Sequence, residues 1–140
     1  MSGAAMALRR SVLVLVDFQQ RLMPALHRGE AVLREAARLA DAARLLGVRV
    51  IGTEQNPGGL GPNVDAIRQR CESTIVKMHF DACEDGLLDA LRGDDAGARC
   101  EVVLAGCEAH VCLLQTALGL LRGGHRVLSL IHISEPTRRS

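Results

Sequence analysis

The sequence predicts an α/β domain built on a parallel β-sheet with helices on both sides. Three observations carry that expectation. Apolar runs of strand length alternate with stretches of helical period, the order of βαβ units. The first run, SVLVLV at 11–16, is apolar at every position after its serine, as a strand buried on both faces must be. Gly, Pro or polar residues punctuate the runs at intervals too short for a second domain.

The elements follow in order. SVLVLVDFQQ is a strand that ends in a carboxylate, Asp17. From Arg28 to Leu46 the apolar residues Val32, Ala36, Leu39, Ala43 and Leu46 recur in steps of four and three, which predicts a helix. Glu30 and Arg34 sit one turn apart on its polar side, and Gly47 supplies the stop. VRVIGT (48–53) is a second strand, EQNPGGLGPN a loop and VDAIRQRC a short helix. STIVKMHF (73–80) is a third strand carrying Lys77, EDGLLDALRG a helix and CEVVLAG (100–106) a fourth strand. A helix from Cys112 to Leu121, closed by Gly123 and Gly124, leads into a fifth strand at HRV.

The totals exclude several function classes. The 140 residues are 48% apolar and 24% charged, enough for one domain with a sizeable core. Two Phe are the only aromatic residues, so no stacking platform for single-stranded nucleic acid exists. A formal charge of +1 leaves no basic footprint for a duplex. No apolar run has the length of a membrane span or signal core, so a soluble protein away from membranes is expected. Five cysteines, at 71, 83, 100, 107 and 112, lack metal-type spacing and form an odd set. That usage fits reduced thiols in the cytoplasm.

The last segment departs from this logic. LSLIHISEPTR, Leu128 to Arg138, reads as the in-register translation of a transposase sequencing adaptor, eleven residues long. The domain is therefore expected over 1–127, incomplete by at least a strand and a helix, with 128–140 an appended artefact. The other reading is a genuine strand, VLSLIHI, with a polar tail. The segment is apolar where a fifth strand is due, so it can fill that place whatever its origin. A chain lacking its last elements is expected to leave an apolar edge unpaired and to aggregate.

Chemistry concentrates at the strand ends, where parallel sheets bind ligands. Asp17 comes after strand one, Lys77 after strand three, and Cys112 at the turn after strand four. A thiol at a helix N-terminus beside a lysine gains thiolate character. A nearby aspartate can take its proton and pass it to a leaving group. Each residue alone has a blander reading: Asp17 as a turn residue, Lys77 as a solvated surface lysine, and the cysteines as small core hydrophobes. That blander reading is kept for Cys71, Cys83, Cys100 and Cys107. His79 and His110 stay outside the set, with His110 expected to line the pocket and Phe18, Gln20 and Phe80 to wall it. GGLGP lacks the strand–GxxxxGK context of a phosphate loop and is a turn.

Three of these stretches together resemble the isochorismatase-like cysteine hydrolases. LVLVDFQQRLMP is similar to the family's first strand with its aspartate, and KMHFDA to its lysine segment. GCEAHVCLLQTALGLLRGGHRV is similar to its nucleophile turn and helix. The resemblance spans residues 11 to 127 and is closest to an uncharacterised branch. It implies a three-layer α/β/α sandwich around a parallel sheet of six strands, here about five. It implies a triad of Asp17, Lys77 and Cys112, a cis peptide between Cys107 and Glu108, and an oxyanion hole from the N–H groups of Glu108 and Cys112. It also implies acyl transfer through a cysteine thioester.

Departures narrow the expectation. The segment after strand two reads TEQNPGG without the Asp-x-His that nicotinamidases use for metal, so neither a metal nor another cofactor is expected. Members that hydrolyse isochorismate commonly lack the nucleophilic cysteine, which this chain keeps. The expected substrate is therefore a small amide, cut at a non-peptide C–N bond, and the expected assembly at full length is a homo-oligomer. Two rivals remain. One is a redox-responsive binding protein using Cys107 and Cys112 as a dithiol. The other is an inactive family member acting as a scaffold. The hydrolase reading expects one thiol hyper-reactive near neutral pH.

Overall fold

The computed structural model describes residues 10–25, 28–92, 100–106 and 111–131. Five strands form one parallel sheet: β1 (Ser11–Val16), β2 (Arg49–Gln55), β3 (Ser73–Lys77), β4 (Glu101–Gly106) and β5 (Arg126–Ile131). Their order is β3-β2-β1-β4-β5. The α/β class, the parallel sheet and the five strands are as the sequence predicts.

β1, the central strand, is buried along its whole length on both faces. Val12, Val14 and Val16 join Ile51, Val102, Leu104, Leu113 and Leu120 in one core. Leu13 and Leu15 join Val32, Ala36, Ala40, Ala43, Val50 and Ile67 in the other. The period-two alternation of a strand thus feeds two cores from one segment. Helices α1 (Gly29–Leu45) and α3 (Asp65–Arg68) cover the second face; α4 (Leu87–Arg92) and α5 (Val111–Arg122) cover the first. A single turn, α2 (Pro57–Leu60), lies between β2 and α3. Layers of helix, sheet and helix result.

Several boundaries differ from expectation for identifiable reasons. The buried stripe of α1 is Val32, Ala36, Ala40 and Ala43, whereas Leu46 at the helix end is 59% exposed. β2 runs on to Gln55 because its polar end is paired: buried Glu54 accepts from the Asn63 N–H at 2.8 Å and from Arg68 at 3.1 Å. β3 stops at Lys77, since the N–H groups of Met78 and His79 turn to the Asp85 carboxylate at 3.2 and 3.1 Å. The expected EDGLLDALRG helix is divided at Gly86, whose φ of +109° suits glycine alone. A 3₁₀ turn (Ala82–Asp85) precedes the break and α4 follows it.

Residues Leu128–Ile131 of the adaptor-like segment complete β5 and pair with Val103–Gly106 of β4. Leu128 and Leu130 are exposed on this edge strand.

Candidate active site

Strand order places the site. The chain steps outward from β1 to β2 and β3, then returns to lay β4 on the other side of β1. At that reversal the helices that follow β1 and β4, α1 and α5, pack on opposite faces of the sheet, the topological switch point at whose strand carboxyl ends parallel sheets bind ligands. Asp17 follows β1 there, and Cys112 lies in the first turn of α5, after β4.

Asp17 adopts φ +58°, the left-handed region that aspartate tolerates better than most residues. The turn is fixed from β2: the Asp17 N–H donates to the Thr53 carbonyl and side-chain oxygen, each at 3.2 Å. The Thr53 hydroxyl in turn donates to Asp17 Oδ1 at 2.7 Å. This leaves Oδ2 for Lys77, whose Nζ lies 3.2 Å away. Both side chains are 0–1% exposed. Lys77, a surface residue if read alone, is thus a fully buried ammonium.

Lys77 Nζ also donates to Gln55 Oε1 at 2.6 Å and, at 3.5 Å each, to the carbonyls of His79 and Phe80. Because an ammonium only donates, the Gln55 amide must present its oxygen to it. The same oxygen lies 3.9 Å from Cys112 Sγ. The Asp17 carboxylate and the Lys77 ammonium both act on the thiol, the first against its ionisation and the second in favour of it. Residues 17, 55, 77 and 112 therefore meet around one sulfur.

The electrostatics differ from expectation. Burial pushes the Cys112 thiol up, the Asp17 charge pushes it further, and Lys77 offsets only part; the result is about 11. Lost hydration and the Asp17 charge outweigh the ammonium, so the neutral thiol is favoured over the thiolate at neutral pH. Burial also raises Cys71 to about 11 and Cys83 to about 12. Cys71, Cys83 and Cys100, which pack among core residues, are free thiols.

The other expected site residues separate. Phe18 is buried beneath α1, in the core on the opposite face from Cys112. It lines a groove of about 500 Å³ with Val32, Leu39, Ala105 and Leu130. Gln20 is exposed. Phe80 lines a cleft of about 330 Å³ with Met78, Asp81, Glu84 and Gln115 of α5. His79 is exposed and pairs with Asp85 at 3.0 Å. Cys107, Glu108 and His110, with the expected cis peptide, Glu108 oxyanion donor and pocket histidine, lie outside the described residues.

Sequence reasoning missed two glutamines. Gln55, read from the sequence as part of the EQNPGGLGPN loop, is the last residue of β2. Gln19 is fully buried and grips the end of β2: its Oε1 accepts from the Gln55 N–H at 2.7 Å. Its Nε2 donates to the carbonyls of Gln55 and Gly61 at 2.9 and 2.7 Å. Replacing Gln19 with leucine strands three backbone groups, at about 1–3 kcal/mol for a buried group left unpaired. Urea denaturation of Gln19→Leu should show a loss of about 3 kcal/mol or more; a change below 1 kcal/mol would contradict the clamp.

With this geometry in place, comparison with known proteins is decisive. Residues 11–130 match the family model described as an isochorismatase domain. The chain belongs to the isochorismatase family. Isochorismatase domain-containing protein 2 of Danio rerio is 35% identical over 117 residues, covering 84% of this chain and 58% of that protein. The MAR1 ribonuclease structure from Caenorhabditis elegans is 33% identical with a TM-score of 0.74, covering 86% of this chain and 62% of that one. The ycaC gene product of Escherichia coli, described as an octameric hydrolase of unknown specificity, has a TM-score of 0.79 at 19% identity and shares the fold. The isochorismatase-family chain thus spans about three fifths of the length of these relatives. No helix among its described residues is long and apolar enough to cross a membrane.

Proposed function

We propose that this isochorismatase-family chain carries the catalytic centre of a metal-free cysteine hydrolase that cleaves a non-peptide C–N bond in a small amide. The observation that supports this reading is the fully buried Asp17–Lys77 pair, 3.2 Å apart, with Gln55 Oε1 shared between Lys77 Nζ at 2.6 Å and the Cys112 sulfur at 3.9 Å.

The roles follow from the chemistry of each group. Asp17 takes the thiol proton as the sulfur attacks the amide carbonyl, and Lys77 stabilises the negative charge that leaves the carboxylate. The N–H groups of Glu108 and Cys112 are the proposed oxyanion donors; removing one such donor costs roughly 100-fold or more in rate. Collapse of the tetrahedral species breaks the C–N bond, and Asp17 returns the proton to the departing amine. Water then hydrolyses the thioester, releasing a carboxylic acid and restoring the thiol. A resting thiol near 11 makes the base a requirement, because spontaneous thiolate is scarce at neutral pH.

The test is a panel of small primary and secondary amides, read for released ammonia or amine, with mass spectrometry of the quenched enzyme. Turnover with an acyl adduct on the peptide bearing Cys112 is the expected result. RNA cleavage that survives Cys112→Ala, without amide turnover, would move the assignment toward the activity named for the nematode ribonuclease. A reversible Cys107–Cys112 disulfide without turnover would favour the redox reading. Amide inertness with neither behaviour would favour the scaffold.

A further inference from the structure

We propose that Thr116 is a positioning residue for Lys77, acting through the 80–82 turn. The inference rests on reading Asp17, Lys77 and Cys112 as one reacting set. The Thr116 hydroxyl is fully buried, one helical turn after Cys112 on α5. It accepts a hydrogen bond from the Ala82 N–H at 3.0 Å and donates one to the Phe80 carbonyl at 3.3 Å. That carbonyl is one of the two backbone acceptors around Lys77 Nζ.

One hydroxyl therefore uses both of its hydrogen-bonding capacities to pin a turn whose carbonyl faces the ammonium. Because Thr116 and Cys112 share a helix, the pin ties the lysine's surroundings to the helix that carries the sulfur. β3 ends at Lys77, so no strand ladder fixes the residues that follow.

Neighbouring contacts hold the same turn. Asp81 is buried, accepts from the Cys83 N–H at 2.8 Å and faces Arg122 of α5 at 3.7 Å. Its carboxylate occupies the space where a side chain at position 119 would begin: a Cβ on Gly119 would stand 2.5 Å from Asp81 Oδ2. The α5 face toward this turn is thus a glycine, a hydroxyl and a guanidinium, each accommodating part of residues 80–83. Thr116 is the member of that set that reaches a carbonyl bound to Lys77.

The experiment compares Thr116→Val, which keeps shape and removes the hydroxyl, with Thr116→Ser, which keeps the hydroxyl. Iodoacetamide alkylation of Cys112, resolved by peptide mass spectrometry across pH 7 to 10, reports thiol ionisation without any substrate. Failure of the amide assay therefore leaves this measurement standing. Lys77 lowers the Cys112 pKa, so loosening it should slow alkylation by about tenfold at fixed pH in Thr116→Val, a shift of one pKa unit. Thr116→Ser should restore the wild-type profile, and Cys71 and Cys100 should alkylate as before. A wild-type Cys112 profile in a folded Thr116→Val protein would overturn the proposal. If that variant does not fold, amide exchange of the wild-type protein decides: the Ala82 N–H should be protected, and exchange at the rate of an open loop overturns the proposal.

Discussion

Cys112→Ala is expected to abolish amide turnover, and Asp17→Asn to reduce it on the order of 10⁴-fold, while the two variants move the sulfur chemistry in different directions. Removing Cys112 removes the atom that forms the thioester, so no acyl adduct can accumulate. Removing the Asp17 charge has a subtler signature. Burial is the main reason the Cys112 thiol is pushed up to about 11; the Asp17 charge adds to the rise, whereas Lys77 lowers it. In Asp17→Asn the lowering partner stays and the raising one goes, so the thiol should ionise more easily and alkylate faster at pH 8. Each unit of pKa recovered is worth about tenfold in thiolate there. Turnover and alkylation should therefore diverge, because the variant gains thiolate and loses its proton donor to the leaving amine. An Asp17→Asn protein that retains near wild-type turnover would overturn the assigned role; parallel loss of turnover and alkylation would show that the aspartate matters only for folding.

Lys77→Met should cost about 3–5 kcal/mol, the penalty for leaving one charge of a buried pair without its partner. The Asp17 carboxylate, 1% exposed, would retain the Thr53 hydroxyl at 2.7 Å as its hydrogen-bond donor among the described side chains. For a chain of this size the melting temperature should fall by ~10–20 °C. The double variant Asp17→Asn, Lys77→Met should regain most of that loss, since a neutral amide beside a thioether strands no charge. A denaturant-based double-mutant cycle measures the coupling directly. Additivity of the two single changes would mean that the pair contributes nothing jointly and that its apparent intimacy is structural coincidence.

The class of fold was legible because it depends on local pattern. SVLVLV announces a doubly buried strand, and the alternation of strand and helix fixes parallel pairing. The positions of Asp17 and Cys112 were legible for the same reason, since both sit where an apolar run meets a turn. Lys77 was readable only as a member of a set, because its burial depends on Asp17, sixty positions away in the chain. The glutamines show the limit most clearly. Gln19 and Gln20 are adjacent and chemically identical, yet one is fully buried and the other exposed. The left-handed turn at Asp17 ends the strand's period, so alternation counted along β1 cannot say which of them faces inward. The thiol's electrostatics were misjudged because a helix N-terminus and a lysine are visible in sequence, whereas lost hydration requires knowing what surrounds the sulfur.

The buried cluster draws its members from the ends of β1, β2 and β3 and from α5, so no short peptide contains it. A chain emerging from the ribosome carries Asp17 long before Cys112 has been made. Until the central strands have paired, the cysteine is an ordinary thiol with ordinary hydration and no dedicated base. Under the proposed mechanism, competence is consequently an all-or-none property of tertiary structure, arriving only when the sheet closes and lost wherever it opens.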